Sequence, residues 1–121
     1  MAYGSALVDT IQSSTTGTPP QFNDGSGAQI GTLCRAWVRF SASGGVISGV
    51  VGFNVSSVTR TGTGAYSVNF STAFSDTNYS VSLGNNNSCY VVSLSTGSLN
   101  MTTFSNITQV DSSLNYLSVF R

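Results

Sequence analysis

An alternating pattern between Cys34 and Phe40 constrains the fold of this 121-residue chain more than any other feature. Every second residue there is small or apolar, and the residues between are aromatic or charged: Cys34, Ala36, Val38 and Phe40 against Arg35, Trp37 and Arg39. Side chains alternate between opposite faces with period two in a β-strand. The pattern therefore predicts a strand with Val38 buried and Trp37 on the opposite face.

Stretches of the same kind recur along the chain at spacings of about ten residues. They are a Val- and Gly-rich run at 45–55, a hairpin pattern at 58–70, and alternating segments at 79–83, 89–95, 99–103 and 114–120. Gly49 and Gly52 predict a bulge or a close backbone approach. Ser, Thr, Asn and Gly supply most of the polarity, and they disfavour helix interiors. The sequence predicts an all-β fold, an antiparallel β-sandwich of jelly-roll-like or lectin-like type.

Residues 1–30 differ from the rest of the chain. Apolar residues are sparse there, and the stretch SSTTGTPPQFNDGSG is rich in turn-forming residues. Pro19 and Pro20 favour an extended path, and Asn23 to Gly25 is typical of a turn. We expect residues 1–30 to form an extended N-terminal arm or linker for docking or assembly, and residues 31–121 to form the sandwich.

Charge is scarce, at 7% of residues, with four acids and four bases and no net charge. A chain without a basic cluster lacks the electrostatic footprint for binding nucleic acid or an anionic membrane. No apolar run is long enough to span a bilayer, and the first residues lack a signal-peptide pattern. We expect a protein made in a cytoplasm that works in an assembly, with neither nucleic acid nor membrane as a partner.

Catalytic chemistry finds little support in the sequence. Without histidine, the usual Ser-His-Asp and Cys-His arrangements cannot form. Two cysteines cannot supply the ligands of a structural zinc site, and the aspartates sit in turn-like surroundings such as NDGSG and VDSS. We expect no enzyme activity, no cofactor and no metal, and we expect Cys34 and Cys89 to be reduced, buried thiols, with a disulfide as the alternative.

The loop Asn85, Asn86, Asn87 and the nearby Tyr90 form the first candidate contact site. Amides offer donors and acceptors to sugar hydroxyls, and an aromatic ring can stack on a sugar ring. A polar hairpin turn is the alternative interpretation. Trp37 is the second candidate, as a contact for an arginine, a glycan or a neighbouring subunit, with burial in its own core as the alternative.

Three segments carry a family resemblance: CRAWVRF at 34–40, NVSSVTRTGTGAYSVNF at 54–70 and AFSDTNYSV at 73–81. Together, the run from Ile30 to Gly84 resembles a module of tail-fibre and other virion structural proteins of tailed bacteriophages of aquatic bacteria. The stretch YSVNFSTAFSDTNYSV at 66–81 is also similar to strand pairs in H-type lectin-like fibre tips. The resemblance implies a β-sandwich, assembled as a homotrimer and displayed on the virion, and it brings no catalytic residue.

Two functions follow from the resemblance. The first is a tail-fibre-type component that contacts other virion proteins and attaches to a host cell-surface glycan. The chain departs from a long fibre, because it contains no coiled coil, collagen-like repeat or extended shaft. The alternative is therefore a capsid decoration (cement) protein that stabilises the shell. Either protein would be assembled in the host cytoplasm and located in the virion.

Overall fold

The computed structural model of the protein describes residues 4, 7–16 and 19–121. The chain divides into two compact units, Met1–Leu33 and Cys34–Arg121. The division falls three residues after the predicted boundary at residue 30.

The first unit contains one small antiparallel pair, β1 (Phe22–Asn23) and β2 (Gln29–Gly31). Asp24 shapes the turn between these strands, since its carboxylate accepts hydrogen bonds from the backbone N–H groups of Ser26 and Ala28, both at 2.9 Å. The predicted turn at Asn23 to Gly25 is confirmed. The extended arm remains a prediction, and its residues 1–3, 5–6 and 17–18 lie outside the described part of the chain.

The second unit is built almost entirely from strands. They are β3 (Cys34–Ser41), β4 (Ser48–Phe53), β5 (Val55–Gly62), β6 (Ala65–Phe70), β7 (Ser80–Asn85), β8 (Ser88–Leu94), β9 (Ser98–Ser105), β10 (Thr108–Gln109) and β11 (Asn115–Phe120). A short 3-10 turn, Ser43–Gly45, links β3 to β4. The first sheet has the order β4-β3-β11-β7, and the second has β10-β9-β6-β5 with β8 also paired to β9. All pairings are antiparallel, and the predicted antiparallel sandwich is confirmed.

The core lies between the two sheets. Both contribute alternate residues that are almost fully buried: Ala36, Val38, Phe40, Leu117 and Val119 from the first, and Tyr66, Val68, Phe70, Leu99 and Met101 from the second. Phe40 meets Tyr66 edge to face across the sandwich, with ring centroids 5.3 Å apart. The burial of Val38 and Phe70 confirms the faces predicted for β3 and β6.

In the last strand, β11, the buried residues are not those that the sequence pattern indicates. Apolar residues at Leu114, Tyr116 and Phe120 draw attention to the even positions, but the buried residues are Asn115, Leu117 and Val119. Leu117 lies opposite Val38 on β3 and Leu83 on β7. Because β11 is a central strand, its pairing register decides which face is buried.

Two glycines shape β4, as predicted. The β3–β4 pairing shifts register between Arg39 and Ser41, and Gly49 has φ of +59°, as a bulge with a left-handed residue requires. A Cβ at Gly52 would lie 2.5 Å from the Trp37 carbonyl oxygen. Larger residues at position 52 would therefore push β4 away from β3.

Both cysteines are free thiols. The expectation that both thiols are buried is wrong, because Cys34 and Cys89 are each partly exposed. Cys34 begins β3 in the first sheet, and Cys89 lies in β8 of the second. Desolvation raises the pKa of the Cys89 thiol, which keeps it protonated and weakly reactive at neutral pH.

Candidate functional site

The Asn85–Asn87 loop carries the chain from β7 of the first sheet to β8 of the second. Asn85 accepts the Asn87 backbone N–H at 2.8 Å, which closes a turn. The amide of Asn86 donates to the Ser113 hydroxyl at 3.3 Å and accepts a hydrogen bond from the Ser112 hydroxyl. These contacts match the alternative interpretation of the loop as a polar turn.

Asn85 also has a role inside the fold. It lies directly opposite Asn115 across the β7–β11 pair. Among the described residues, Asn85 Nδ2 and Asn115 Oδ1 are buried and have no hydrogen-bond partner. One atom is an amide donor and the other an amide acceptor. The Asn86 amide and the Asn85 side-chain oxygen are therefore already engaged in hydrogen bonds within the fold.

Trp37 and Tyr90 lie on opposite outer faces of the sandwich. Trp37 projects from β3 of the first sheet with 40% of its surface exposed, so its burial in the core is excluded. Tyr90 projects from β8 of the second sheet, is 53% exposed, and stacks on Phe104 with ring centroids 5.3 Å apart. The five predicted contact residues therefore do not form a single site.

The outer surface of the first sheet carries an exposed group of aromatic, aliphatic and cationic side chains, here called the aromatic face: Trp37, Arg39, Val51, Phe53 and Tyr116. Trp37 lies opposite Phe53 on β4, and Arg39 lies between Val51 and Tyr116. The Tyr116 ring lies over Gly84 of β7, where a side chain would collide with it. Only Trp37 of this group was singled out from the sequence.

In the part of the chain that the structure describes, no strand pairs with the outer edge of β4 in the first sheet. All six residues of the strand are exposed, and none is charged or a proline. Phe53 is 57% exposed and Val51 is 56% exposed. Natural proteins usually block such edges with charges, prolines or a covering segment, because a free edge invites another chain. An open apolar edge is typical of a surface that meets a partner.

The outer surface of the second sheet is different and is here called the polar face. It presents hydroxyl and amide side chains from β5, β6, β8 and β9, none of them charged: Ser57, Thr59, Ser67, Asn69, Ser93 and Asn100. Asn69 donates to the Ser57 hydroxyl at 3.0 Å, and Asn100 donates to the Ser93 hydroxyl at 2.9 Å. Much of this polarity is therefore satisfied between neighbouring strands.

Asp111 is the centre of a polar cluster at one end of the sandwich. Its carboxylate accepts hydrogen bonds from Arg60 Nε at 2.9 Å and Nη2 at 2.8 Å, from the Gly64 backbone N–H at 3.0 Å and from the Tyr66 hydroxyl at 3.0 Å. These donors, Arg60 first, lower the pKa of Asp111 to about 2. Burial raises the pKa of Tyr66. The sequence indicated only a turn at Asp111, whereas the structure shows a residue that joins three segments.

The lowered pKa of Asp111 predicts a loss of stability in acid. The unfolded chain binds a proton at this carboxyl near its ordinary pKa of 3.8, while the folded chain does so only near 2. The stabilisation is therefore complete above about pH 5 and declines as the pH falls toward 2, by about 1–2 kcal/mol after allowance for solvent screening. Urea unfolding at several pH values measures the change. Asp111→Asn is the control, and an unchanged acid slope in that variant would contradict the assignment.

Within the described residues, two of the four arginines of the second unit form ion pairs. Arg121 forms an ion pair with Asp76, and Arg60 forms one with Asp111. Both aspartates of the second unit are thus occupied. In the part of the chain that the structure describes, Arg35 and Arg39 make no ion pair, and both belong to the outward side of β3.

Three further observations bear on the class of protein. No helix in the described residues is long and apolar enough to cross a membrane. Within those same residues, no group of three or more His, Cys, Asp or Glu side chains is placed to hold a metal ion. Comparison with protein-family models, curated proteins and solved structures finds no match to this chain.

Proposed function

We propose that this chain is a non-enzymatic structural protein of a bacteriophage virion, a tail-fibre-type component that attaches to a host cell-surface glycan. The observation that carries the proposal is the aromatic face. It offers three exposed rings, Trp37, Phe53 and Tyr116, on one sheet. Aromatic rings offer flat apolar faces to the C–H surfaces of sugars, and arginine supplies hydrogen-bond donors beside them.

A second surface supports contact with other virion proteins. At the edge of the second sheet, β8 exposes Tyr90, Val92 and Leu94 by 53%, 60% and 38%. Such an apolar edge suits pairing with another copy or with a neighbouring component. The homotrimer comes from the family resemblance, and β8 is the edge we propose for that association.

Capsid decoration remains the second candidate, and one observation favours it. Exposed Trp, Tyr, Phe and Arg are also the residues enriched in the cores of protein–protein interfaces. The aromatic face and the open β4 edge would then pack against the shell rather than a glycan. The two proposals differ in location and in ligand.

Imaging of intact particles that contain this chain separates the two locations. We expect its density at the tail end. Density at the axes of the capsid lattice would support decoration and contradict the tail-fibre role. Absence of the chain from purified particles would contradict both proposals.

Binding of the purified full chain to host cells tests the ligand. We expect binding that free host glycan competes away, and Trp37→Ala should weaken it at least about tenfold, since a central aromatic contact is often worth more than 1.4 kcal/mol. The control is Ile107→Ala, a 94% exposed apolar residue in the second sheet's β9–β10 turn, which should leave binding unchanged. Equal losses in both variants, or no competition by glycan, would contradict attachment through the aromatic face.

A further inference from the structure

A pocket of about 390 Å³ opens beside the aromatic face, where β4 turns into β5. It is lined by Arg35, Phe53, Asn54, Ser71 and Thr72. Its size is within the range of small-ligand sites. The lining combines a cation, an exposed ring, hydroxyls and an amide, and it contains no acidic residue.

Asn54 holds the walls of this pocket together. It adopts φ of +55° at the corner between β4 and β5, a conformation that asparagine tolerates better than most residues. Its Nδ2 donates to the carbonyls of Arg35 and Thr72, both at 3.1 Å, and its Oδ1 accepts the Thr72 backbone N–H at 2.7 Å. The Ser71 backbone N–H donates to the Asn54 carbonyl at 3.2 Å. These bonds hold the backbone of the three segments that line the pocket in place.

Arg35 supplies a positioned charge. Its guanidinium carbon lies 5.7 Å from the centroid of the Phe74 ring. Phe74 itself is only 5% exposed. This cation–π contact limits the motion of the side chain. Within the described residues Arg35 makes no ion pair, since the two aspartates of its unit bind Arg60 and Arg121. Its charge is therefore available to an anion from outside the chain.

We propose that this pocket binds a carboxylate-bearing sugar residue of an acidic glycan. Arg35 pairs with the carboxylate, for which the planar guanidinium is suited. The Phe53 ring contacts the apolar side of the sugar, and the hydroxyls of Ser71 and Thr72 bind its hydroxyl groups. The inference rests on the proposed function and names the chemical class of the glycan. It favours a sugar over an acidic peptide because ring and hydroxyl contacts surround the cation.

Titration of the full chain with D-glucuronate, followed by NMR, tests the proposal against D-glucose as the neutral counterpart. We expect glucuronate to bind at least about tenfold more tightly, because its carboxylate adds charge-assisted hydrogen bonds to Arg35. Its chemical-shift changes should centre on Arg35, Phe53 and Thr72. Arg35→Gln should reduce glucuronate binding to the level of glucose, and Phe53→Ala should weaken the binding of both sugars.

Arg121→Gln is the matched control. It removes the same charge from an exposed ion pair with Asp76, outside the residues that line the pocket, and glucuronate binding should stay within about twofold. Equal losses in Arg35→Gln and Arg121→Gln would overturn the proposal in favour of general attraction to positive charge. Thermal melts of each variant show whether the fold is retained, and Arg35→Lys, which keeps the charge, should retain intermediate affinity.

Two further outcomes would overturn the sugar site. One is equal affinity of the unchanged chain for glucuronate and glucose. The other is tight binding of N-acetylaspartate methylamide that survives Phe53→Ala, which would indicate a peptide carboxylate. The experiments distinguish failure of the pocket from failure of the proposed function. Host-cell binding that persists in Arg35→Gln would contradict the pocket but leave the attachment function intact. Glucuronate binding by a chain located on the capsid would contradict the tail-fibre function but leave the pocket intact.

Discussion

Replacing Val38 by aspartate is expected to leave no soluble, folded protein. Val38 is 1% exposed and lies between the two sheets, where it faces Leu117 across the β3–β11 pair. A carboxylate there would have no cation or donor to pair with, and burying an unpaired charge costs several kcal/mol. Domains of this size are stable by only about 5–15 kcal/mol, so the loss is comparable to the whole. Soluble yield and a cooperative thermal melt measure the outcome.

The neighbouring residue provides the control for this substitution. Trp37→Asp places the same charge one position away on the same strand, but on the exposed side, and should yield a folded chain. Phe70→Asp and Asn69→Asp form an equivalent pair on β6, where Phe70 is 7% exposed. A cooperative melt in Val38→Asp or Phe70→Asp would show that the assignment of the faces is wrong.

Replacing Asp111 by alanine is expected to lower the free energy of unfolding by about 2–4 kcal/mol. The substitution leaves the Arg60 guanidinium, the Gly64 N–H and the Tyr66 hydroxyl without their shared acceptor. Tyr66 is fully buried, so water cannot easily replace the lost bond. Urea unfolding at neutral pH measures the difference between the variant and the unchanged chain.

The second ion pair of the sandwich supplies the matched control. Asp76 pairs with Arg121, but both side chains are about one-third exposed, at 39% and 32%. An exposed pair contributes about 1 kcal/mol or less, so Asp76→Ala should have a small effect. Similar losses in the two variants would show that Asp111 is not the centre of a buried network.

The sequence predicted the faces of some strands well and missed others for a physical reason. In β3 and β6 the residues that alternate with the buried ones are mostly charged or polar, with Trp37 as the main exception, so the apolar residues mark the core. In β11 apolar residues occur on both sides, and a buried asparagine occupies an inward position. The amide of Asn115 donates to the Ser112 carbonyl at 3.0 Å, a contact that no local pattern shows. Alternation alone cannot fix the phase of such a strand.

The candidate site was predicted only in part. Trp37 stood out as a lone tryptophan between arginines, and it does lie on an exposed face. The pocket was missed because its residues come from three separate segments, joined through Asn54 rather than through any sequence motif. Conversely, the run Asn85 to Asn87 is conspicuous in the sequence but is largely engaged in a turn. The residue types indicated which side chains could bind a ligand. Hydrogen bonds between distant segments determined which of those side chains are free to do so.

The central place of β11 has a consequence for how this chain reaches its folded state. The strand lies between β3, which begins the second unit, and β7. The first sheet therefore cannot close until β11 (Asn115–Phe120) is available. Pairing strands that are far apart in sequence requires a large loop-closure entropy before any contact compensates for it. We therefore expect refolding on the slow side, in milliseconds to seconds, and a chain still emerging from the ribosome would hold β3 and β7 without their shared neighbour.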